Sequence, residues 1–448
     1  MNNVSYKHIW SVTYPILISL LMEQMIGITD TMFLGRYGEV ELGASAIAGV
    51  YYLAMFVVAF GFGIGAQIIM GRRNGEGRYR QIGPVMVQGA FFMVVMAAVM
   101  FTISRIWTPG ILRSIIESDA IYHASLEYLN WRIYGFFFAF IAIMFRSFYV
   151  GITRTSVLTS NSLIMVGANV LLNYTLIFGH FGFPRLGIAG AAIASSISEL
   201  VSLIFFFIYT WKKTDLEKYG FTYAFRFRPR LLKGILAISS WMMVQNFVSM
   251  SMWFIFFLSI EHLGERPLAL VNITRTAATV FYMIVSSFAS TTSTLVSNSI
   301  GAGRSNDIFP ICTKCIKMAS LFILPLIAFC LLFPGLVSGF FTNNLELAQE
   351  SIPGIRVMAA TIIFVVPAFI LFSAVSGTGN TRTAFFMELI CLSIYLLAIY
   401  VIVIKLRSDV AICWLTDPIY SFALIPMAWI YLRRGNCYIS IMIIKNKQ

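Results

Sequence analysis

Charged residues are scarce in this 448-residue sequence, at 11% of the total, whereas hydrophobic residues make up 59%. Soluble globular proteins carry about 25% charged residues, so this composition excludes an ordinary soluble domain. The charges that do occur cluster in short segments between long apolar runs, as in helical membrane proteins with many spans. The net charge of +13 therefore belongs to loops at one membrane surface, and we expect no nucleic-acid partner.

Residues that commonly carry catalysis or hold cofactors are also few. The four histidines fall at helix ends or in loops, and no glycine-rich ATP-binding motif occurs. Cys312 and Cys315 have the spacing of half a metal site but no second pair, so we expect the six cysteines to be free and buried. Gly61, Gly63 and Gly65 lie inside an apolar run, which indicates close helix packing rather than dinucleotide binding. We therefore predict that the protein is not an enzyme and holds no cofactor.

Twelve apolar segments are each long enough to cross a bilayer as a helix. Their expected limits are 9–34, 43–70, 84–107, 126–150, 155–178, 187–211, 232–261, 268–299, 308–337, 352–377, 383–405 and 408–432. Lysine and arginine collect in the loops after even-numbered segments, as at Arg72, Arg73, Lys212 and Lys213. Because positively charged loops stay in the cytoplasm, we predict a multi-pass protein of the cytoplasmic (inner) membrane with both termini cytoplasmic.

The chain consists of two halves with repeated sequence. Its one long polar interruption separates an N-terminal six-helix bundle (1–211), a cytoplasmic linker (212–233), a C-terminal six-helix bundle (234–433) and a cytoplasmic tail (434–448). The repeated turns are GEGR at 75–78 with GAGR at 301–304, and GITRT at 151–155 with GNTRT at 379–383. Halves of six helices enter the membrane in the same orientation. We therefore predict an all-α fold whose two bundles are related by a pseudo-twofold axis along the membrane normal.

Two acids, Glu23 and Asp30, interrupt the first apolar segment. They are seven residues apart and therefore project from nearly the same helix face. An acid at the centre of a membrane helix costs about 2.5–3.5 kcal/mol, so another interaction must offset that cost. A bound coupling ion is one candidate. The alternative is that Asp30 lies near the outer surface and simply reaches water.

Several motifs, in order and with their spacing, make the chain resemble the multidrug and toxic compound extrusion (MATE) family over essentially its whole length. They are Pro15 followed by DTMFLGRYG at 30–38, the turns at 75–78, 301–304, 151–154 and 379–382, and NYTLIFG at 173–179 leading to PRLGIAGAAIA at 184–194. The resemblance implies an antiporter that exchanges small amphipathic organic compounds, organic cations above all, for Na⁺ or H⁺. It also implies alternating access by rocking of the two bundles.

The resemblance further implies a coupling site in the N-terminal bundle, formed by Asp30, Asn169, Asn173 and Ser195. The residues themselves agree, because Asn169 and Asn173 are four apart and share a helix face. Oxygen ligands around one carboxylate suit a hard cation such as Na⁺, and the same carboxylate could carry a proton instead. No other metal is expected. The alternative is that the asparagines only join helices, at about 0.6 kcal/mol per hydrogen bond.

Other polar residues in the apolar segments are candidates for a secondary proton site or a substrate site. They are Glu23, Glu199, Gln245, Arg275 and Glu388. Glu199, on the sixth segment, is expected to face the N-terminal cavity. The costly guanidinium of Arg275 favours an ion pair with Glu388 or Asp417, although it could instead meet an acidic part of the substrate. Arg146 is expected to extend toward the cytoplasm.

These observations together predict a cation-coupled antiporter that works as a monomer in the lipid bilayer on small-molecule substrates. One alternative is a flippase for lipid-linked oligosaccharides from the same broad superfamily, which would need a larger basic cavity and is favoured only by Arg275. Another is a membrane-embedded enzyme, whose clustered catalytic residues we do not find. The choice between Na⁺ and H⁺ stays open.

Overall fold

The chain is mostly helical in the part that the computed structural model describes, residues 4–342 and 344–434. The helices are α1 (Tyr6–Tyr37), α2 (Glu39–Gly75), α3 (Ile82–Ile115), α4 (Asp119–Arg132), α5 (Gly135–Gly151), α6 (Ser156–Phe178), α7 (Gly187–Lys213), α8 (Pro229–Glu261), α9 (Glu265–Gly301), α10 (Ile308–Leu332), α11 (Pro334–Gly339), α12 (Leu345–Gly377), α13 (Thr381–Ile399), α14 (Val410–Cys413) and α15 (Thr416–Arg433). These residues contain no strand, which confirms the predicted all-α class.

Eleven helices in this part of the chain are long and apolar enough to cross a membrane. The total is twelve when α4 and α5, which meet at a bend of 50°, count as one span. Each of the twelve predicted segments coincides with one of these spans, and the bent one is the predicted segment 126–150. The agreement has a simple cause, because a backbone in lipid must satisfy its own hydrogen bonds and therefore stays helical over each apolar run. The chain is a multi-pass membrane protein.

Helix contacts divide the chain into two compact units. The N-terminal unit is Ile18–Asn246, and the C-terminal unit combines residues 4–17 with the described residues from Phe247 onward. The long helices α1 and α8 therefore each belong in part to both units. Segment 212–233, which the sequence marks as a polar interruption, lies within the N-terminal unit and contacts α3.

The internal repeat is visible in the backbone of the matched turns. Gly77 and Gly303 both have a φ of +72°, a conformation that glycine adopts without steric cost. In the first turn the Arg78 amide donates to the Arg73 carbonyl at 2.9 Å, and the equivalent bond of the second turn is 2.8 Å long. Helix packing repeats as well, since α2 contacts α4 and α5 just as α9 contacts α12.

Two predictions about helix interiors are also confirmed. Gly61 and Gly65 of α2 lie against the backbone of α8, where a Cβ on Gly61 would be 2.6 Å from the Met242 carbonyl oxygen. The cysteines at positions 312, 315, 330, 391 and 413 are buried and not in disulfides. Cys437, and the predicted tail apart from Arg434, lie outside the described residues.

Candidate cation site

Four predicted site residues come together from three helices of the N-terminal unit. Asp30 lies on α1, Asn169 and Asn173 on α6, and Ser195 on α7. Asn173 Nδ2 donates to Asp30 Oδ1 at 2.5 Å and to Asn169 Oδ1 at 3.1 Å. Ser195 Oγ donates to Asp30 Oδ2 at 2.9 Å and accepts from Asn169 Nδ2 at 3.3 Å. The two asparagines and the serine thus form a hydrogen-bonded ring with the Asp30 carboxylate.

Close packing of α6 on α7 brings the two sides of this ring together. Gly190 lies in the first turns of α7, where a Cβ would be 2.6 Å from the Leu176 carbonyl oxygen of α6. Any larger residue at position 190 would push the helices apart. The preceding turn also depends on glycine, because Gly179, which directly follows α6, has the left-handed conformation with a φ of +77°.

The ring contains an acceptor without a donor. Asn169, Asn173 and Ser195 are buried, yet no hydrogen bond reaches Asn173 Oδ1 from the described residues. Asp30 is partly buried, and no described lysine or arginine lies within ion-pair distance of it. Since the carboxylate is held by α6 and α7, the alternative in which it only reaches outer water does not describe this geometry. A buried oxygen with an unused lone pair beside a carboxylate suits a cation.

A buried ion pair lies one helical turn further along α7. The Arg132 guanidinium donates to both carboxylate oxygens of Glu199 at 2.8 and 2.6 Å, and the Tyr52 hydroxyl donates to the same carboxylate at 3.1 Å. Arg132 is the last residue of α4, directly before the 50° bend. Both oxygens of the Glu199 carboxylate thus accept bonds from a buried cation, and its role as a secondary proton or substrate site stays a prediction.

Two small residues accommodate this ion pair at the bend. Ser196 Oγ donates to the Trp131 carbonyl at 3.3 Å, which satisfies a backbone acceptor at the end of α4. Gly135 opens α5, and a Cβ there would collide with Arg132 Nη1 and Glu199 Oε2. No proline lies in α4 or α5. The bend between α4 and α5 therefore has no proline, and the α7 side chains of Ser196 and Glu199 contact the backbone and the arginine at the end of α4.

A second ion pair joins α1 to α5. Arg146 Nη1 donates to Glu23 Oε1 at 2.6 Å, and the Ser19 hydroxyl donates to the same oxygen at 3.1 Å. The expectation that Arg146 extends toward the cytoplasm is therefore wrong. A carboxylate within reach offers the guanidinium a strong charge-assisted bond inside the bundle, so the long side chain turns inward.

Asp30 differs from the other acids of α1 and α7 because it forms no ion pair with a described residue. Helices α1 and α7 carry three acids, of which Glu23 pairs with Arg146 and Glu199 pairs with Arg132. Asp30 is left without an ion-pair partner among the described residues. The site therefore has one negative charge that a single monovalent cation or a single proton would neutralise.

Arg275, another of the candidates, lies on α9 of the C-terminal unit. Arg275 makes no ion pair with Glu388 or Asp417, so the expected pairing is wrong. Its guanidinium instead lies 5.5 Å from the Trp253 ring and 5.2 Å from the Phe257 ring. These aromatic faces attract a cation electrostatically and take the place of the acids.

The acids that we expected beside Arg275 are bound to neutral groups. Glu388 accepts a hydrogen bond from Ser249, and Asp417 accepts one from the Tyr282 hydroxyl at 2.9 Å. Gln245 is buried on α8 within the N-terminal unit. None of these contacts involves the four residues of the Asp30 ring.

Sequence reasoning missed Arg132, Tyr52, Ser196 and Gly135. A signal was available for the first of these, because Arg132 lies inside the predicted span 126–150 and an intramembrane arginine needs a partner. The sequence does not say which acid that partner is, because the first six spans also contain Glu23, Asp30, Glu127 and Glu199. Nothing in the sequence marks Gly135 or Ser196 in the same way.

Three comparisons relate the chain to known proteins. The family model MatE matches residues 15–175 and 242–401. A probable multidrug resistance protein NorM of Listeria innocua is 26% identical over 360 residues, covering 77% of this chain and 76% of that protein. The corresponding NorM of Bacillus subtilis is 24% identical over 339 residues, covering 75% of each.

Solved structures share the fold over nearly the whole chain. A multidrug resistance MATE family transporter of the MOP superfamily, in an outward-facing conformation, superposes with a TM-score of 0.85 at 18% identity, covering 97% of this chain and 98% of that one. A MOP superfamily transporter from Pyrococcus furiosus gives a TM-score of 0.86 at 17% identity with the same coverage. At these identities the likeness is one of fold.

Proposed function

This chain belongs to the MatE family of membrane transporters, and from that premise we propose that it is a cation-coupled antiporter for small amphipathic organic compounds. Its relatives carry the name of multidrug resistance proteins, which supports export of small molecules as the direction and the cargo class. We place it as a monomer in the cytoplasmic (inner) membrane with both termini in the cytoplasm, because the basic loops follow the even-numbered spans.

The observation that carries the proposal is the unpaired charge at Asp30. Two neighbouring acids are neutralised by arginines, while Asp30 is bonded only to amide and hydroxyl groups. Asn173 Oδ1 adds a carbonyl oxygen without a donor. One Na⁺ or one proton per site would remove the net charge. Coupling then requires that this cation stabilise one conformation of the transporter more than the other.

The first test is Asp30→Asn in an efflux assay. Cells or vesicles loaded with a fluorescent cationic dye are given a Na⁺ gradient and a pH gradient separately. The variant is expected to insert normally but to lose efflux under both gradients, because its neutral amide no longer attracts a cation. Asp119→Asn is the matched control, since Asp119 is an exposed acid of the same unit paired with Arg113 at the surface. Efflux by Asp30→Asn at the wild-type rate would refute the proposal.

A binding measurement on purified protein separates the two coupling ions. The thermal midpoint is measured in NaCl and in choline chloride of equal ionic strength, at several pH values. A Na⁺ site predicts stabilisation by NaCl that disappears in Asp30→Asn. A proton site predicts equal midpoints in both salts and a pH dependence that disappears in the same variant.

The flippase alternative keeps one observation in its favour, because Arg275 has no acid partner among the described residues. A guanidinium in a membrane-spanning helix without a counter-ion suits an anionic cargo. If dye efflux is absent under both gradients while export of a lipid-linked sugar requires the protein and fails in Arg275→Gln, the flippase replaces the antiporter.

A further inference from the structure

We propose that the loop between α7 and α8 is a binding surface for anionic phospholipid headgroups. The surface, here called the interfacial loop, is residues 221–230, which include the first two residues of α8. Phe225 and Phe227 are 70% and 63% exposed. Arg226 lies between the two phenylalanines, and Arg228 and Arg230 come after them. All three arginines are exposed. Large exposed aromatics between arginines on a membrane protein mark a site of interaction rather than a random surface.

The interfacial loop has a fixed backbone. Gln88 of α3 is fully buried, and its amide makes three hydrogen bonds to this loop. Gln88 Nε2 donates to the carbonyls of Ala224 and Arg226 at 3.4 and 2.8 Å. Its Oε1 accepts from the Arg228 amide at 2.9 Å. Ala224 is itself buried. The two exposed phenylalanines are thus presented on a built scaffold.

A second anchor holds the beginning of the loop. The Gly83 amide of α3 donates to the Tyr219 carbonyl at 2.8 Å. The rings of Tyr219 and Phe221 lie 5.3 and 5.5 Å from the ring of Phe148 on α5. Phe221, the first residue of the interfacial loop, is therefore half-buried against the N-terminal unit, whereas Tyr223, Phe225 and Phe227 are exposed.

The loop connects two helices that are long and apolar enough to cross the membrane, so it lies where the chain leaves the hydrocarbon core. It joins the last residue of one spanning helix, Lys213, to the first residue of the next, Pro229. Trp211, two residues before the end of α7, is 79% exposed. Tryptophan and tyrosine concentrate at membrane–water interfaces, because their amphipathic rings sit at the level of the headgroups.

The charge of the segment selects an anionic lipid as the occupant. No aspartate or glutamate occurs between Glu217 and Glu261, whereas basic residues occur at 218, 226, 228, 230 and 233. Each basic residue near an anionic leaflet strengthens attraction about fivefold, and the effect falls with salt. The arginines would hold lipid phosphates while the phenylalanines enter the boundary between headgroups and acyl chains. This surface is independent of the coupling ion and of the transported compound.

The test measures binding of phosphatidylglycerol to the full-length protein in a neutral detergent, by native mass spectrometry and by thermal midpoint. Phosphatidylcholine and inorganic phosphate are the two comparison ligands. Wild type is expected to bind phosphatidylglycerol more tightly than phosphatidylcholine and to ignore inorganic phosphate. Arg226→Gln/Arg230→Gln is expected to weaken phosphatidylglycerol binding about thirtyfold, since two charges are removed. Arg228 is left intact because its side chain also donates to the Tyr223 carbonyl.

Phe225→Ser/Phe227→Ser is expected to remove most of the lipid-dependent rise in thermal midpoint. The matched control is Phe181→Ser/Phe183→Ser, because these phenylalanines have the same spacing and are 77% and 53% exposed in the loop after α6. That control is expected to bind like wild type.

Three results would overturn the proposal. The first is equal affinity of wild type for phosphatidylglycerol and phosphatidylcholine. The second is unchanged lipid binding in both interfacial-loop variants. The third is a concentration-dependent dimer that only the Phe225→Ser/Phe227→Ser variant loses, which would assign the surface to a second copy of the chain. Each readout is obtained without transport, so failure here leaves the antiporter proposal standing.

Discussion

Removing the charge of Glu199 is expected to weaken cation binding at the Asp30 ring, although Glu199 is not one of the four residues of that ring. In Glu199→Gln the buried Arg132 loses its ion-pair partner but keeps its own charge. Glu199 lies one helical turn along α7 from Ser195, which donates to the Asp30 carboxylate. Once Glu199 no longer balances the charge of Arg132, the uncompensated positive charge near Asp30 opposes the entry of a cation. We therefore expect weaker cation binding and reduced efflux in a protein whose Asp30 ring is intact.

The stability cost follows from the burial of the pair. The side chains of Arg132 and Glu199 are 11% and 15% exposed, and two short N–H···O bonds join them. Leaving one member of a buried pair uncompensated costs about 3–5 kcal/mol. Two features reduce this cost. The two side chains keep some contact with solvent, and the Tyr52 hydroxyl can still donate to the oxygen of a glutamine at position 199. We therefore expect the free energy of unfolding to fall by about 3 kcal/mol, the lower limit of that range.

A double-mutant cycle supplies the assay. The unfolding free energy and the Na⁺- or pH-dependent thermal shift are measured for Glu199→Gln, Arg132→Met and the double variant Arg132→Met/Glu199→Gln. Removing both charges is expected to cost less than the sum of the two single changes and to restore cation binding, because no unbalanced charge remains near Asp30. The prediction is refuted if the losses in unfolding free energy of the two single variants simply add up in the double variant. It is also refuted if cation binding stays weak in the double variant, because the ion pair would then act independently of the cation site.

Three further substitutions test the packing that supports these sites. Gly61→Ala is expected to cost about 1–3 kcal/mol because the new methyl meets the backbone of α8, whereas Gly49→Ala on the same helix has open space and should leave the thermal midpoint unchanged or slightly raised. Gln88→Leu should cost about 1–3 kcal/mol by leaving loop carbonyls without a donor, and Gln81→Leu, at an exposed position, should not. Gly135→Ala should lower the thermal midpoint by displacing the buried ion pair; an unchanged midpoint would mean that the bend tolerates a side chain there.

The number and approximate positions of the spans could be predicted because the controlling interaction is local, although several helices begin or end five to eight residues from the predicted limits. A run of apolar residues must form its hydrogen bonds within itself in lipid, whatever its neighbours are. The repeated turns were predictable for a similar reason. Gly77 and Gly303 have positive φ values, which glycine adopts more easily than other residues, so the residue type itself indicates the turn. The contact between Asp30 and Asn173 could be expected from the family resemblance and from the helix face that Asn173 shares with Asn169.

The ionic partners could not be assigned in this way. Arg146 turned inward to Glu23, and Arg275 turned to two aromatic rings rather than to an acid. Such choices depend on distances of a few ångströms between side chains on different helices. Helical periodicity specifies which face a residue occupies but not which neighbour faces it.

The residue order alone thus determined that this is a twelve-span membrane protein built from two related halves, with a carboxylate and two amides that can share one site. Only the folded structure decided that Glu23 and Glu199 are neutralised while Asp30 is not. The reason is physical: hydrophobic length and backbone conformation are properties of a segment, whereas the pairing of charges is a property of the space between segments.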